Sequence, residues 1–381
     1  MQSLNVHIYP APIAHQSRVL KVTATLIKKR FVEQIIIVSR SGLSLPSRSQ
    51  IDKSRAIEGF PISESRGSFL SRSVRFVVWS LRVFSRFRSK KIDMVNCHSL
   101  SVLPLCLALK VWHQAILIYE PHELETETSQ MRGFKKAICK SIEGLLIKHV
   151  HWTILVSDPI ETWYRKHYNL VNTSVVMNCP AMSPVCASQY FHERYNVPLH
   201  TPIFLYQGIL GKGRGIELIV AAFGAMPDEA VLVLLGYGEL FDWAQTQSKH
   251  FKNVYVQQAV PQSELHAITC SANFGFSMPE PGPLNHEYCM PNKLFEYIMA
   301  GVPVLVSNTL EQRKVVQQFD IGEIAIALTP EAIRSAIRKL LSSDGSKFKS
   351  GLDRARLEYC WERQEIVLEC TYNRILLKKT D

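Results

Sequence analysis

Short apolar runs rich in valine and isoleucine recur along the chain, each about one helix length from the next. Such runs are typical of strands that are buried on both faces of a parallel sheet. Parallel strands need crossover connections, and right-handed crossovers cover both faces of a sheet. Because the runs form two consecutive series, the sequence predicts an α/β fold with two doubly wound domains. The runs are LNVHIY (4–9), IIIVS (35–39), MVNCH (94–98), AILIYE (115–120), TILVS (153–157) and SVVMN (174–178), then IFLYQG (203–208), VLVLLG (231–236), NVYVQ (253–257), ANFGFS (272–277), VPVLVS (302–307) and IAIAL (324–328).

Length and composition agree with two folded domains. The chain has 381 residues, about 2.5 times the ~150 residues of a typical domain. Hydrophobic residues make up 46% and charged residues 20%, a balance that excludes disordered and fibrous chains. Two prolines interrupt the strand–helix pattern in NCPAMSPVC (178–186). We therefore predict an N-terminal domain at 1–180 and a second domain that begins at 181.

The nine cysteines are scattered and include no Cys-x-x-Cys pair and no His/Cys spacing of a zinc site. We interpret them as reduced thiols of a cytosolic protein, and we expect no bound metal. The first ten residues, MQSLNVHIYP, lack the basic and apolar regions of a signal peptide. Asn and Pro interrupt the longest stretch without charged side chains, 167–192, so we expect no membrane-spanning segment.

Positive charge is concentrated in the first half of the chain. Residues 1–180 contain 25 Lys and Arg against 12 Asp and Glu, whereas residues 181–381 contain 19 against 21. The two halves therefore carry net charges of +13 and −2, which sum to the total of +11. A basic domain beside a nearly neutral one favours an anionic partner for the first domain, either nucleic acid, an acidic ligand or a lipid surface.

One basic segment, FLSRSVRFVVWSLRVFSRFRSKK (69–91), places aromatic and aliphatic residues among seven Arg and Lys. This pattern is typical of a basic amphipathic helix. The simpler interpretation is a domain helix with a solvated cationic face, and the alternative is a helix that lies near anionic lipid headgroups. No nucleic-acid motif accompanies the segment, so we expect no nucleic-acid partner.

The stretch PLNHEYCMPNKLFEYIMAGVPVLVS (283–307) is the most informative for chemistry. It passes from a loop into a helix that begins near Pro291, ends at Gly301 and precedes a buried strand. A helix N-terminus at the strand ends of an α/β sheet favours phosphate, because its free N–H groups and its dipole point outward. Lys293 adds a cation, and Glu296 can accept hydrogen bonds from vicinal hydroxyls such as those of a ribose. The alternative is an ordinary surface lysine and an exposed helix glutamate.

A glycine-rich loop, YQGILGKGRGIELIVAAF (206–223), leaves another buried strand and enters a helix. Its glycines permit a close approach of the backbone to a ligand, and Lys212 and Arg214 add positive charge beside it. A plain flexible loop is the alternative. Two basic, helix-opening loops in one domain nevertheless favour a diphosphate ligand. The glycines are Gly208, Gly211, Gly213 and Gly215.

A third cluster, IYEPHELETE (118–127), directly follows a strand in the basic half of the chain. It places His122 and Glu123 at the edge where an α/β sheet presents its ligands. A loop histidine is more often structural than catalytic. His122 becomes a candidate because its domain is followed by a second domain with predicted ligand-binding loops.

These stretches together resemble the GT-B glycosyltransferases, in particular the large retaining family 4. The resemblance covers nearly the whole chain and is most specific in the C-terminal half, through YQGIL..GRGIELIVAAF, LVLLGYGE and PNKLFEYIMAGVPVL. The N-terminal half matches loosely, through SRVLK (17–21), VNCH and YEPHE. The resemblance implies two Rossmann-like domains that face each other across a cleft.

The resemblance also implies where the substrates bind. A nucleotide-sugar donor is expected in the C-terminal domain, 181–355, and an acceptor mainly in the N-terminal domain. Members of the family usually need no metal, because basic side chains and a helix dipole neutralise the leaving diphosphate. A C-terminal helical segment, 356–381, is expected to pack back on the N-terminal domain through an apolar face. That face is predicted to contain Trp361, Ile366, Val367, Tyr372 and Ile375.

Individual site residues follow from the resemblance by position. Glu296 looks like the second acid of the family's Glu-x7-Glu motif, which binds the donor ribose, and the first acid's position holds Tyr288 with Glu287 beside it. Arg214 looks like the basic residue that precedes the loop glycine, while the earlier arginine position holds Ile209. The resemblance implies catalytic roles for His122, Arg214 and Lys293, and donor contacts for Gly208, Gly213, Gly215, Gly236, Tyr288, Pro291, Asn292 and Glu296.

The function implied is that of a cytosolic, retaining glycosyltransferase, which moves a sugar from a nucleoside diphosphate sugar to a saccharide acceptor. The basic first half and segment 69–91 further predict work at the inner face of a membrane, on a lipid-linked saccharide used for a cell-surface polysaccharide. No cofactor and no metal are expected beside the nucleotide sugar. The alternatives are a nucleotide-sugar epimerase on the same fold and a non-catalytic glycosyltransferase-like subunit, which Tyr288 and Ile209 motivate.

Overall fold

The computed structural model describes residues 3–13, 16–41, 47–62, 69–344 and 346–378. The chain divides into two compact units, of which one comprises Met1–Asn178 with Glu365–Asp381 and the other comprises Cys179–Gln364. Each unit has its own largely parallel sheet and its own buried core.

A sheet of buried strands forms the centre of the first unit. Its strands are β1 (Leu4–Ile8), β2 (Gln34–Ser41), β3 (Ser47–Gln50), β4 (Arg55–Pro61), β5 (Met94–Cys97), β6 (Ile116–Tyr119), β7 (Trp152–Leu155) and β8 (Thr173–Val175). In the described part of this unit the eight strands follow the order β3-β4-β2-β1-β5-β6-β7-β8. β3 pairs antiparallel with β4 at one edge, and the other pairings are parallel. The carboxyl ends of β1, β5 and β6 are therefore neighbours at one edge.

Helices follow most of these strands, as parallel pairing requires. They are α1 (Ser17–Lys28), α2 (Phe69–Phe87), α3 (Leu103–His113), α4 (Gly133–Leu146) and α5 (Asp158–Tyr168). The helix predicted in segment 69–91 is thus confirmed and ends at Phe87. Its core-facing stripe repeats every four residues, with Trp79, Val83 and Phe87 buried, whereas Val77 and Leu81 are exposed.

The second unit has a sheet whose strands all run parallel. They are β9 (Ile203–Ile209), β10 (Val231–Tyr237), β11 (Val254–Gln258), β12 (Phe274–Ser277), β13 (Val304–Ser307) and β14 (Gly322–Ala325). Their order among the described residues is β11-β10-β9-β12-β13-β14, which is the Rossmann order 3-2-1-4-5-6. The order reverses between β9 and β12, so a crevice opens at the carboxyl ends of these two strands.

The helices of the second unit connect these strands and close the unit. They are α6 (Tyr190–Tyr195), α7 (Ile216–Gly224), α8 (Phe241–His250), α9 (Gln262–Thr269), α10 (Leu284–Tyr288), α11 (Asn292–Met299), α12 (Leu310–Phe319), α13 (Pro330–Leu341) and α14 (Lys349–Glu358). The glycine-rich loop leads from β9 into α7, and the two helices α10 and α11 follow β12. Both predicted phosphate loops therefore lie at the crevice.

The last helix, α15 (Trp361–Leu377), begins in the second unit and returns to the first. Thr25 of α1 donates to Glu365 at 2.9 Å, and Asn96 of β5 donates to the hydroxyl of Tyr372 at 2.7 Å. The predicted apolar face of this helix is partly wrong, because Ile366 and Val367 are 55% and 38% exposed. Leu368 and Thr371 are buried instead. They lie one helical turn before the buried Tyr372 and Ile375, on the same face.

The predicted fold class is confirmed, since both units are doubly wound α/β structures with parallel sheets. Each of the predicted apolar runs overlaps a strand, although the runs 174–178 and 324–328 share only two residues each with β8 and β14. The strands β3 and β4 were not predicted from the sequence. Among the described residues, no helix combines the length and the apolar character needed to cross a bilayer.

Candidate functional site

Two glycines bring the ends of β9 and β10 close together. Gly208 and Gly236 face each other in the register of the two strands. A Cβ atom at Gly236 would lie 1.8 Å from the carbonyl oxygen of Gly208, so position 236 accepts only glycine. Gly213 and Gly215 have φ of +77° and +69°, and Gly215 caps the N-terminus of α7. The backbone of this loop is therefore shaped by its glycines.

Lys293, in the first turn of α11, lies beside this loop. Its Nζ is 3.5 Å from the centre of the Tyr206 ring, a cation–π contact. A Cβ atom at Gly208 would lie 4.0 Å from the same Nζ. The helix begins after Pro291, as the sequence predicts, and the lysine side chain is 9% exposed. The amine thus reaches the end of β9 from the positive end of a helix dipole.

The environment of Lys293 disfavours its charged form. Burial, followed by the charge of Arg214, lowers the pKa of Lys293 well below its ordinary value, and Glu296 opposes this shift. Burial also raises the pKa of Tyr206, and Arg214 partly offsets that rise. An amine and a guanidinium are therefore held near each other with one carboxylate beside them. Such a site gains free energy when an anion enters it.

Glu296 is held in place by a buried hydrogen-bond chain. Gln207, near the end of β9, donates through Nε2 to Glu296 Oε2 at 2.6 Å. The amide oxygen of Gln207 accepts in turn from the hydroxyl of Thr269 at 2.9 Å. Sequence reasoning identified Glu296 but missed Gln207 and Thr269. A polar residue at the fifth position of the buried run IFLYQG was the available signal.

The other predicted site residues of this unit are distributed around the same loops. Tyr288 is half-buried at the end of α10, and Asn292 is exposed at the start of α11. Glu287 is occupied elsewhere, because it accepts from the backbone N–H groups of Gly282 and Leu310 at 3.3 and 3.0 Å. We therefore assign Glu287 to the anchoring of this loop. Lys212 is exposed.

The first unit contains a row of histidines that ends at His122. Asn5 Nδ2 lies 3.1 Å from His7 Nε2, His7 Nδ1 lies 2.9 Å from His98 Nε2, and His98 Nδ1 lies 3.1 Å from His122 Nε2. His7 lies in β1, His98 directly follows β5, and His122 lies in the loop after β6. The histidines form a row because the carboxyl ends of these three strands are neighbours in the sheet. Tyr9 stacks on His122 with ring centres 5.5 Å apart.

The three imidazoles of the row are held neutral. Burial, together with the charge of His98, lowers the pKa of His7 to about 3, and burial with the charge of Arg18 lowers the pKa of His98 to about 3. Burial also lowers the pKa of His122 well below its ordinary value. With Asn5 as the donor, each ring accepts from one neighbour and donates to the next. The tautomer of His122 is then fixed by a hydrogen bond from His98.

Buried charged and polar groups flank this row. Arg18 lies 3.6 Å from Glu120 and donates to the carbonyl of Val176. Asn96 donates to Glu120 at 2.6 Å. The ligand atoms of His7, His98 and Glu120 lie within 4.8 Å of one another, but these groups already pair with each other and with Arg18. We therefore assign this cluster to hydrogen bonding and not to a metal.

Residues 188–355, nearly the whole second unit, match the family model described as Glycosyl transferases group 1. The second unit is similar to a glycosyltransferase domain. The donor-site candidates from Gly208 to Glu296 all lie inside the matched residues, whereas His122 lies outside them. A search of curated protein sequences found no match to the chain.

Solved structures of glycosyltransferases share the fold of the whole chain. Sucrose-phosphate synthase from Thermosynechococcus elongatus superposes with a TM-score of 0.81 at 13% identity, over 99% of this chain and 100% of that one. Anabaena HepE in complex with UDP-glucose gives 0.71 at 11% identity, over 99% of each chain. WaaG, a glycosyltransferase involved in lipopolysaccharide biosynthesis, gives 0.67 at 11% identity, over 98% of this chain and 99% of that one. The chain thus has the GT-B fold of these glycosyltransferases, as predicted from its sequence.

Proposed function

We propose that this enzyme transfers a sugar from a nucleoside diphosphate sugar to a saccharide acceptor with retention of the anomeric configuration, in the synthesis of a cell-surface polysaccharide. The observation that carries the proposal is the position of Lys293. Its buried amine lies at the start of α11, over Tyr206 and beside Gly208. We assign the donor to the crevice of the second unit that these residues line.

The charges of this crevice suit a diphosphate. Burial and then the charge of Arg214 lower the pKa of Lys293 in the free protein. A diphosphate would relieve this repulsion and would accept hydrogen bonds from the free N–H groups at the start of α11. The glycines of the β9–α7 loop leave room for the backbone to approach the phosphates. Gly208, Gly213, Gly215, Gly236, Pro291 and Asn292 would line the donor on this side.

Glu296 would bind the ribose of the donor. Its carboxylate accepts hydrogen bonds, and two vicinal hydroxyls present two donors. Gln207 fixes the orientation of this carboxylate before the ligand arrives. Preorganisation of this kind lowers the ordering cost of binding. Tyr288, which stands where relatives have an acid, would contact the sugar.

The reaction needs positioning and charge stabilisation more than a protein base. When the glycosidic bond to the diphosphate breaks, negative charge grows on the leaving oxygen. Arg214, Lys293 and the α11 dipole would stabilise that charge. The leaving diphosphate can accept the proton of the attacking hydroxyl on the same face of the sugar, which accounts for retention. His122, held in one tautomer by His98, would bind a hydroxyl of the sugar or the acceptor.

A lipid-linked acceptor is favoured by the surface of α2. The helix exposes Val74, Val77 and Leu81 at 55%, 56% and 63%, next to exposed Arg82 and Arg88. Apolar side chains beside cations are the pattern of a helix that rests on anionic lipid. We propose that the first unit binds the membrane surface peripherally through this helix, on the cytosolic side.

The proposed reaction is tested with purified protein and a panel of nucleoside diphosphate sugars. Release of the nucleoside diphosphate, with a sugar product of unchanged anomeric configuration by NMR, is the expected result. Conversion of the nucleotide sugar into an epimer without release would favour the epimerase instead. Tight donor binding by isothermal titration, without turnover on any saccharide or lipid-linked acceptor, would favour the non-catalytic subunit that Tyr288 and Ile209 motivate.

A further inference from the structure

Three potential metal ligands meet in the second unit, on segments other than the two proposed donor loops. They are Cys186, His266 and Cys270, whose ligand atoms all lie within 4.8 Å of one another. His266 Nε2 is 3.8 Å from Cys270 Sγ, and the backbone N–H of Cys186 donates to Cys270 Sγ at 3.4 Å. We propose that these three side chains form a binding site for Zn²⁺.

The fold presents the three groups on converging elements. His266 lies on α9 and Cys270 directly follows it, four residues later, so both side chains lie on the same side of that helix. Cys186 comes from the irregular segment 179–189 that opens the second unit. Tetrahedral Zn²⁺ with bonds of about 2.3 Å to sulfur and about 2.0 Å to nitrogen needs a sulfur–nitrogen separation of roughly 3.5 Å. The separation in the free protein requires only a small adjustment.

The chemistry of the donor set suits Zn²⁺ in particular. Two thiolates and one imidazole are borderline-soft ligands, and two thiolate charges neutralise the cation. The side chains of all three residues are half-buried, so the site is accessible to an entering ion. Zn²⁺ binding would release the two thiol protons.

The fourth coordination position is next to a backbone carbonyl. His266 Nε2 donates to the oxygen of Pro184 at 2.8 Å in the free protein. On metal binding the imidazole proton moves to Nδ1, and Nε2 turns its lone pair to the ion. A water molecule, or the carbonyl of Pro184, completes the tetrahedron. A disulfide between Cys186 and Cys270 would not involve His266, whereas a metal ion would bind all three side chains. We therefore prefer the metal site.

The site would fasten the opening segment of the unit to α9. This segment also contacts α14, because Arg356 donates to the carbonyl of Ser183 at 2.5 Å. Thr269, the neighbour of Cys270, donates to Gln207, which in turn holds Glu296. Metal binding itself does not depend on the donor.

Co²⁺ tests the site because thiolate–Co²⁺ bonds absorb in the near ultraviolet and tetrahedral Co²⁺ absorbs visible light. Reduced, chelator-treated full-length protein is titrated with Co²⁺, and Zn²⁺ is then added to displace it. We expect both absorptions in the wild type at one equivalent of Co²⁺. In Cys186→Ser and Cys270→Ser we expect loss of the thiolate absorption and an affinity for Zn²⁺ that is weaker by roughly 100-fold or more. Even residues that only contact the ligands of a metal site change its affinity by about 10–100-fold. Cys139→Ser, a half-buried cysteine of the first unit, is the matched control and should bind like the wild type.

Absence of thiolate–Co²⁺ absorption in the reduced wild type overturns the proposal. So does equal absorption in Cys186→Ser, Cys270→Ser and the control. Mass spectrometry of protein kept in air without reductant shows whether the two cysteines form a disulfide. A disulfide together with no metal affinity after reduction would identify a redox pair and overturn the metal site. Failure of the wild type to bind any nucleoside diphosphate, with its Co²⁺ titration as expected, would instead count against the donor site alone.

Discussion

Gln207 donates to Glu296 across 2.6 Å, so the last residues of β9 hold the carboxylate of α11 in a fixed orientation. The strand supplies the glycine-rich loop one residue later, at Gly208, and the helix supplies Lys293 one turn earlier than Glu296. The two predicted phosphate loops are thus linked through one hydrogen bond. The first prediction follows from this link.

Glu296→Ala should weaken the binding of a nucleoside diphosphate by about tenfold or more, because a charge-assisted hydrogen bond contributes roughly 1.5–3 kcal/mol. Isothermal titration of the wild type and the variant measures the change. Glu193→Ala, at an exposed glutamate of α6 in the same unit, is the control and should leave affinity unchanged. Equal affinities in a folded Glu296→Ala protein would remove the carboxylate from the ribose site.

Lys293 should take up a proton when the diphosphate binds. Burial and Arg214 lower its pKa in the free protein, whereas a bound anion raises it again, so affinity should fall as pH rises. Titration in buffers of different ionisation enthalpy measures the uptake. The dependence on buffer should be lost in Lys293→Met and kept in Lys249→Met, at an exposed lysine of α8. A dependence that survives in Lys293→Met would assign the proton to another group.

The histidine row should make the protein less stable in acid. His7 and His98 stay neutral in the folded state down to about pH 3, whereas in the unfolded chain they gain protons below pH 6.5. Their contribution is therefore complete above pH 6.5 and is lost as pH falls towards 3. Each histidine adds a slope of about 1.4 kcal/mol per pH unit to the free energy of unfolding in this window.

His98→Asn should reduce that slope, whereas His200→Asn, at an exposed histidine, should not. Urea unfolding at several pH values between 4.5 and 6.5 gives the comparison. Burial also raises the pKa of Glu125 to about 8, which gives a slope of opposite sign. The difference between variant and wild type is the quantity to use, because this carboxyl contributes equally to both. Identical slopes would contradict a neutral His98.

The exposed face of α2 should attach the protein to anionic vesicles at low salt. Cations near such a surface contribute about 1 kcal/mol each, and salt screens this attraction. Replacement of Val77 and Leu81 by Glu should abolish sedimentation with phosphatidylglycerol vesicles. Leu199→Glu, at a residue of the second unit that is 64% exposed, serves as the control. Failure of the wild type to sediment at low salt would defeat the membrane proposal and leave the transferase intact.

Much of the fold could be predicted because buried parallel strands leave a direct pattern in the sequence. The strands β3 and β4 escaped that pattern. β3 is a polar edge strand, and β4 carries Glu58, Gly59 and Pro61 among its apolar residues. Glu58 is buried but pairs with Arg86 of α2, a partner 28 residues away that no local pattern reveals.

The site was predictable only where chemistry and local structure coincide. Lys293 and Glu296 became candidates because they share a helix start, whereas the contacts of Gln207 join residues that are 62 to 89 positions apart. The cluster of Cys186, His266 and Cys270 has no metal spacing along the chain, because 80 residues separate the first ligand from the second. Sequence periodicity reports burial, and the pairing of distant polar groups needs the fold.

The most direct test of the proposed donor site is a crystal structure with the nucleoside diphosphate that binds most tightly in titration. We predict phosphate oxygens within about 3.2 Å of Lys293 Nζ at the start of α11, and ribose hydroxyls on Glu296. A nucleotide bound elsewhere in the second unit, or with its ribose away from Glu296, would contradict it.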